Sequence, residues 1–160
     1  MKIRLATLDD RPKLQSFLTD RWGSTVLIIN GEEVDALECE ALVAGDFSAV
    51  ITFRIEGDSA EIVSFNAVPP LAGLGSNLLN AFIDLMRQRQ INTVNVTTTN
   101  DNVNALRFYQ RRGFRLSVLR PGAVDAARRL KPSIPKEGRH KIALRDELVM
   151  SLPLTDPLYA

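Results

Sequence analysis

Three residues in the stretch NVNALRFYQRRGF, Asn102 to Phe114, combine types that do chemistry with a spacing that brings them together. The segment reads as a helix closed by Gly113. At helical spacing Asn102, Ala105 and Tyr109 fall at i, i+3 and i+7, on one face. A small side chain between two hydrogen-bonding ones lets a thin ligand slide past the helix. Tyr109 can donate a proton at the inner end of that face. Asn102, beside the helix start, can hold a polar group of the same ligand, with Leu106 and Phe108 supplying apolar contact behind. On these residues alone a packed aromatic with its hydroxyl tied off explains Tyr109 equally well.

A second stretch, VPPLAGLGSNLL, joins a strand to a helix through Gly73-Leu74-Gly75. Glycines allow a ligand close to the backbone, and a helix start offers N–H groups and the positive end of the dipole. Together they suit a phosphate or pyrophosphate. Tight strand-to-helix packing is the competing explanation for the same glycines. A P-loop needs Lys and Ser/Thr after its second glycine, whereas Ser76-Asn77 stand here. The dinucleotide fingerprint lacks its third glycine, with Leu78 in that place, and Asp101 lies late for a ribose contact.

The elements that must position these residues follow from period and turn chemistry. Ile3 to Ala6 reads as a strand, and Thr7 as the cap of a helix with Asp9 and Asp10 in its first turn. Leu14, Phe17 and Leu18 carry that helix to Gly23. STVLIING is β-rich and ends in the turn signal Asn30-Gly31; Glu32 to Leu37 reads either way. The segment from Glu40 to Val68 gives three strands of an antiparallel meander, turning at Gly45-Asp46 and Gly57-Asp58. Leu74 to Met86 carries a helical apolar stripe, and INTVNVTTTN is a strand rich in β-branched residues. A strand at Phe114–Arg120, a short helix at Ala123–Leu130, a proline-containing loop and a last strand at Arg145–Leu152 complete the chain. The piece from Glu61 to Thr98 is expected to be a right-handed parallel crossover. The expected fold class is mixed α/β (α+β): a central sheet of about six or seven strands flanked by helices on both faces.

At 160 residues a single domain, 1–160, is expected. Charge is balanced, with 20 Lys+Arg against 19 Asp+Glu, which gives no reason to expect nucleic acid as partner. Basic residues gather late, from Arg107 to Lys131, as a local positive patch or a solvated face. No apolar run reaches membrane-spanning length and the N-terminus has no apolar signal segment, so no membrane partner and a cytoplasmic location are expected. The single Cys39 excludes an internal disulfide and reads as a small unreactive side chain. No metal is required. His140 sits in a loop and reads as ordinary surface.

Here the chain resembles a known family. NVNALRFYQRRGF is similar to the N-x-x-A-x-x-[LF]-Y-x-x-x-G-F signature of GNAT-fold N-acetyltransferases. GLGSNLL is similar to the end of their acetyl-CoA loop, [QR]-x-x-G-x-[GA]. The resemblance runs from Ile3 to about Leu152 and is clearest from Ile62 to Phe114; the tract TTNDNVNALRFYQRRGF, with RRLKPSIP and RDEL, looks like a subgroup of small bacterial members. It implies acetyl-CoA as co-substrate and transfer of its acetyl group to a primary amine of a small molecule or peptide. It also implies that the loop amides of Leu71, Ala72, Gly73, Leu74, Gly75 and Ser76 hold the pyrophosphate. The pantetheine would run along Phe65, Asn66, Ala67 and Val68, bond Asn102 and pass Ala105, and Tyr109 would protonate the leaving thiolate. Pro70 departs from the pattern, standing where Arg or Gln usually opens the loop.

Direct attack by the amine needs a base. The resemblance implies a base on the strand of Glu61, which is the first candidate, with Asp146 and Glu147 as alternatives; a surface Glu at the strand start is the competing reading of Glu61. A backbone N–H between Phe65 and Val68 can serve the oxyanion. The resemblance implies an acceptor site shaped by Arg21-Trp22-Gly23, Asn30 to Leu37 and Lys131 to Asp146, with Trp22 either a wall of the pocket or plain core. The resemblance also implies a homodimer formed through sheets. The competing readings are a non-catalytic acyl-CoA-binding sensor or interaction module, which Pro70 favours, and a dinucleotide-binding protein.

Overall fold

A computed structural model describes residues 1–68 and 73–155. Seven strands form one mixed sheet in the order β1-β4-β5-β6-β7-β9-β8, accompanied by four α-helices, the α/β architecture the sequence predicts. The chain groups into two compact units, residues 1–27 with 34–94 and residues 28–33 with 95–160.

In the first unit β1 (Ile3–Leu5) leads through a 3-10 turn, Leu8–Asp10, into α1 (Arg11–Trp22). Thr7 therefore caps the 3-10 turn rather than α1. The Asp10 carboxylate folds back to accept from the Thr7 N–H at 2.8 Å and pairs with Arg4. Leu14, Phe17 and Leu18 are buried, as their spacing predicts, and Gly23 closes α1. The meander consists of β4 (Glu40–Ala44), β5 (Ala49–Glu56) and β6 (Ser59–Ala67), with β1 added antiparallel to β4. Gly45 and Gly57 stand in the turns at positive φ. α2 (Leu74–Gln88) buries Leu74, Leu78, Leu79, Phe82, Ile83 and Met86 along one stripe. Phe82 meets Phe53 edge-on at 5.1 Å, which fixes the helix over the meander core.

β2 (Val26–Ile29) and β3 (Glu32–Asp35) differ from the expectation of a single sheet. They pair only with each other, as a two-stranded hairpin. Asn30 and Gly31 have φ of 51° and 74°, the two left-handed residues of a tight hairpin turn, and such a turn makes adjacent short strands pair with each other. The 3-10 turn Ala36–Glu38 follows, and Asp35 caps it by accepting from the Leu37 N–H. The ambiguous segment Glu32 to Leu37 is thus half strand and half turn.

β7 (Thr93–Thr99) begins in the first unit and ends in the second, where α3 (Val103–Gln110), β8 (Arg115–Arg120), α4 (Ala123–Leu130) and β9 (Glu147–Pro153) follow. β9 starts two residues later than expected, because Arg145 and Asp146 are taken up by Asn100, whose Oδ1 accepts both of their N–H groups at 3.0 Å. Lys131 to Lys141, expected as loop, is irregular except for a 3-10 turn at Arg139–Lys141, and a bridge between Glu137 and Ala143 folds the segment back on itself. Arg128 staples that loop by donating to the carbonyls of Ile134, Pro135 and Leu144. No helix among the described residues is long and apolar enough to cross a membrane.

Candidate active site

In the first unit the meander delivers β6. Thr52 pairs with Ser64 but Phe53 pairs with Ile62, so Val63 is one residue too many on β6, a β-bulge. A bulge bends the strand that carries it and re-aims the side chains beyond it, which here are Phe65, Asn66 and Ala67. The Thr52 and Ser64 hydroxyls close the gap at 2.6 Å, both buried. Beyond the bulge the Val68 N–H donates to the Ser48 carbonyl at 2.7 Å. Antiparallel ladders alternate hydrogen-bonded and non-bonded pairs. Asn66, opposite Val50, therefore also turns its amide toward β5, while the amides of Phe65 and Ala67 point to the other edge of β6.

The Asn66 side chain is engaged. Its Oδ1 accepts from the indole N–H of Trp22 at 3.0 Å, and Trp22 stays part exposed, so it is not plain core. Glu61 faces Arg54 across β5 and β6, with Nη2 at 3.4 Å from the carboxylate, and both side chains are partly exposed. Leu71 and Ala72, together with Pro69 and Pro70, lie outside the described residues. Gly73 is described: it is the N-cap of α2 at φ 80°, with open space where a Cβ would project. A non-glycine residue would be strained at this angle. The bond from the Asn77 N–H to the Gly73 carbonyl at 2.9 Å sets Gly73, Leu74, Gly75 and Ser76 in the first turn of α2.

In the second unit Asn102 is the N-cap of α3, with its Oδ1 accepting from the Ala105 N–H at 3.2 Å. It lies outside the helix proper, just ahead of the face that Ala105 and Tyr109 share. Its amide Nδ2 has no partner among the described residues. Asp101, the preceding residue, is buried and accepts from the Thr99 hydroxyl and from the Arg139 N–H at 2.9 Å. That carboxylate pins the Gly138–Arg139 loop to the start of α3, a tie that nothing in the sequence spacing announced.

Tyr109 is 5% exposed, between Phe108 and Phe114, whose rings stand edge-on at 5.2 and 5.1 Å. Burial pushes its phenol above the ordinary tyrosine range, so the group holds its proton at neutral pH. Arg112 lies over Phe108 at 3.7 Å and donates to its carbonyl. Of the late basic residues, Arg112, Arg120 and Arg128 are thus engaged within the fold. Asp146 accepts from the Gly122 N–H ahead of α4, and Glu147 is buried against Arg120 and the Asn30 N–H. Both alternative bases are tied to the fold by these bonds. Cys39 donates to the Asp35 carbonyl, and burial pushes its thiol up to about 11, in keeping with an unreactive side chain.

The family model described as the acetyltransferase (GNAT) family matches residues 16–114. The chain is 38% identical over 141 residues to the uncharacterised protein YxbD of Bacillus subtilis strain 168, covering 86% of this chain and 89% of that one. Among solved structures it is similar to an IAA acetyltransferase from Bacillus cereus ATCC 14579, at TM-score 0.69 and 18% identity over 95% of this chain and 98% of that chain. A Bacillus subtilis acetyltransferase in complex with CoA is similar at TM-score 0.63 and 21% identity, over 95% and 97% of the two chains. Acetyl-CoA as co-substrate, implied by the sequence resemblance, agrees with these findings.

Proposed function

Because the chain belongs to the acetyltransferase (GNAT) family, we propose that it moves the acetyl group of acetyl-CoA to a primary amine of a small molecule or peptide. The observation that carries this reading is Tyr109: a buried phenol, held neutral, on the helix whose capping Asn102 keeps an amide for a ligand.

The amine nitrogen attacks the thioester carbonyl carbon. A C–N bond forms, the C–S bond breaks, and the thiolate leaves with a proton from the Tyr109 hydroxyl. The amine gives up a proton to Glu61, directly or through water. The pantetheine runs along Phe65, Asn66, Ala67 and Val68; the amides of Asn66 and Val68 face β5, and that of Ala67 points away from it and is the donor for the oxyanion. Gly73, Leu74, Gly75 and Ser76 receive the pyrophosphate, together with Leu71 and Ala72; Asn102 Nδ2 bonds the pantetheine and Ala105 leaves it room. Trp22 forms a wall of the acceptor site.

Incubation with acetyl-CoA and a broad amine panel tests the reading. The expected result is free thiol released in step with an acceptor one acetyl group heavier. Thiol release unaffected by Tyr109→Phe removes Tyr109 as the acid.

A homodimer formed through β8 belongs to the same reading. β8 ends the sheet order and leaves Leu116, Val118 and Leu119 exposed at 54, 47 and 58%. An apolar terminal strand is a template for pairing.

A further inference from the structure

The bulge in β6 decides which of its side chains share a face. Glu61, Ser64 and Asn66 pair with Arg54, Thr52 and Val50, which alternate without interruption along β5. Those three therefore point to one face of the sheet, and so do their partners on β6. In a regular strand Glu61 and Asn66 would point to opposite faces, because an odd number of steps separates them. The extra residue Val63 brings them to the same one. Trp22, at the end of α1, reaches Asn66 on that face.

This contact fixes the direction of an amide. An indole N–H only donates, so the Asn66 atom it meets at 3.0 Å is Oδ1, and the Nδ2 group is turned away from it. Nδ2 has no hydrogen-bond partner among the described residues. No side-chain nitrogen or oxygen among them is both buried and without a partner, so Nδ2 meets solvent. The Trp22–Asn66 bond is itself exposed, and an exposed hydrogen bond exchanged against water adds little to stability. What it does is hold a donor in one direction. That donor belongs to the residue next to Ala67, whose N–H serves the oxyanion, and adjacent Cα atoms are about 3.8 Å apart. An amine that attacks an acetyl group held at Ala67 has its own next atoms beside Asn66.

We propose that Asn66 binds the acceptor: its Nδ2 donates to a carbonyl oxygen that the acceptor carries beside its amine, as an amino-acid residue does, free or at the start of a peptide. This deepens the acetyl-transfer reading and rests on it. Trp22 is the positioning residue, because its indole turns the N–H groups of the amide, not its oxygen, toward the acceptor. An amine of the same shape without that oxygen leaves the donor unpaired, which is how a polar site rejects an analogue.

Trp22 is the single tryptophan of the chain, so its emission reports events at Asn66. The test titrates the CoA-loaded protein with amino-acid amides and dipeptide amides, each paired with an alkylamine of the same shape that lacks the carbonyl oxygen. At least one carbonyl-bearing amine is expected to change the emission and to bind at least about fivefold tighter than its alkylamine. The series that binds tighter tells a free residue from a peptide. Asn66→Asp keeps an oxygen for the indole and loses the donor, so the preference should vanish. Both members of each pair are cations, so their ratio cancels the added charge. Trp22→Phe, followed by calorimetry, keeps an aromatic ring and frees the amide, and the preference should fall in part. An emission that no carbonyl-bearing amine changes, or alkylamines that bind as tightly as their partners in every pair, overturns the proposal. The wild-type titration decides this even if a variant fails to fold. Acetyl-CoA binding, read separately from the melting midpoint, tells the two claims apart. A protein that binds acetyl-CoA but does not prefer the carbonyl loses the Asn66 contact alone, and one that does not bind acetyl-CoA loses both.

Discussion

Tyr109 combines two properties that a general acid for a thiolate needs, a retained proton and a fixed position among Phe108 and Phe114. General acid catalysis contributes about 10²–10⁴ in rate. Tyr109→Phe is therefore expected to slow turnover by about that factor while acetyl-CoA affinity, measured by calorimetry, stays as it was. The same burial makes a stability statement. The phenol's pKa is raised in the folded state, so its contribution is complete below the ordinary value of 10.0 and is lost as pH rises beyond it. Urea titrations across alkaline pH should show Tyr109→Phe losing less stability there than wild type. Cys39, pushed up to about 11 from 9.0, should hold about 100-fold less thiolate near pH 8 than an ordinary cysteine and react slowly with iodoacetamide. At this scale Tyr109, Asn102 and the glycines were legible because motif spacing places them locally. Asp101, Arg120 and the engagement of Glu147 were not, since their partners lie far along the chain and only the folded sheet brings them together.

The elements separate stability from binding at α3. Asn102 Oδ1 caps the helix and its Nδ2 has no partner among the described residues. Asn102→Ala removes both, and loss of a cap costs about 1 kcal/mol, or about 2–4 °C at this chain length. Asn102→Asp keeps an acceptor at the cap and loses only the donor. Calorimetric melting should therefore leave the Asp variant near wild type while its acetyl-CoA affinity falls, and equal affinities would remove Nδ2 from the cofactor contact. On β8, a Leu119→Lys variant should run as a monomer in light scattering if the apolar edge pairs two copies, and an unchanged mass would remove that edge as the interface. Periodicity located the meander and its turns, α2 with its buried stripe, and α3. It missed that β2 and β3 pair apart from the sheet, because the four apolar residues of β2 look the same in a sheet or a hairpin, the mostly acidic β3 carries little strand signal, and only the Asn30-Gly31 turn decides.

For the whole molecule, the order of strands and helices and the two motifs pointed to one family, and residues 16–114 match its model. The strand order β1-β4-β5-β6-β7-β9-β8 was less legible: β9 sits inside β8, although it follows it in the chain. Nothing in the local pattern of either strand sets that order; the polar row Asn95–Ser151–Ser117 and the Arg120–Glu147 pair cross it. The account's central claim is binding of acetyl-CoA, and the melting midpoint in parallel with acetyl-CoA, CoA, NAD and ATP tests it most directly. Ligand at about 100 times its Kd adds about 2.7 kcal/mol, which at this size raises the midpoint by about 5–10 °C. The account predicts that rise with acetyl-CoA and CoA and none with NAD. An unmoved midpoint with both, or a rise with NAD instead, would contradict it.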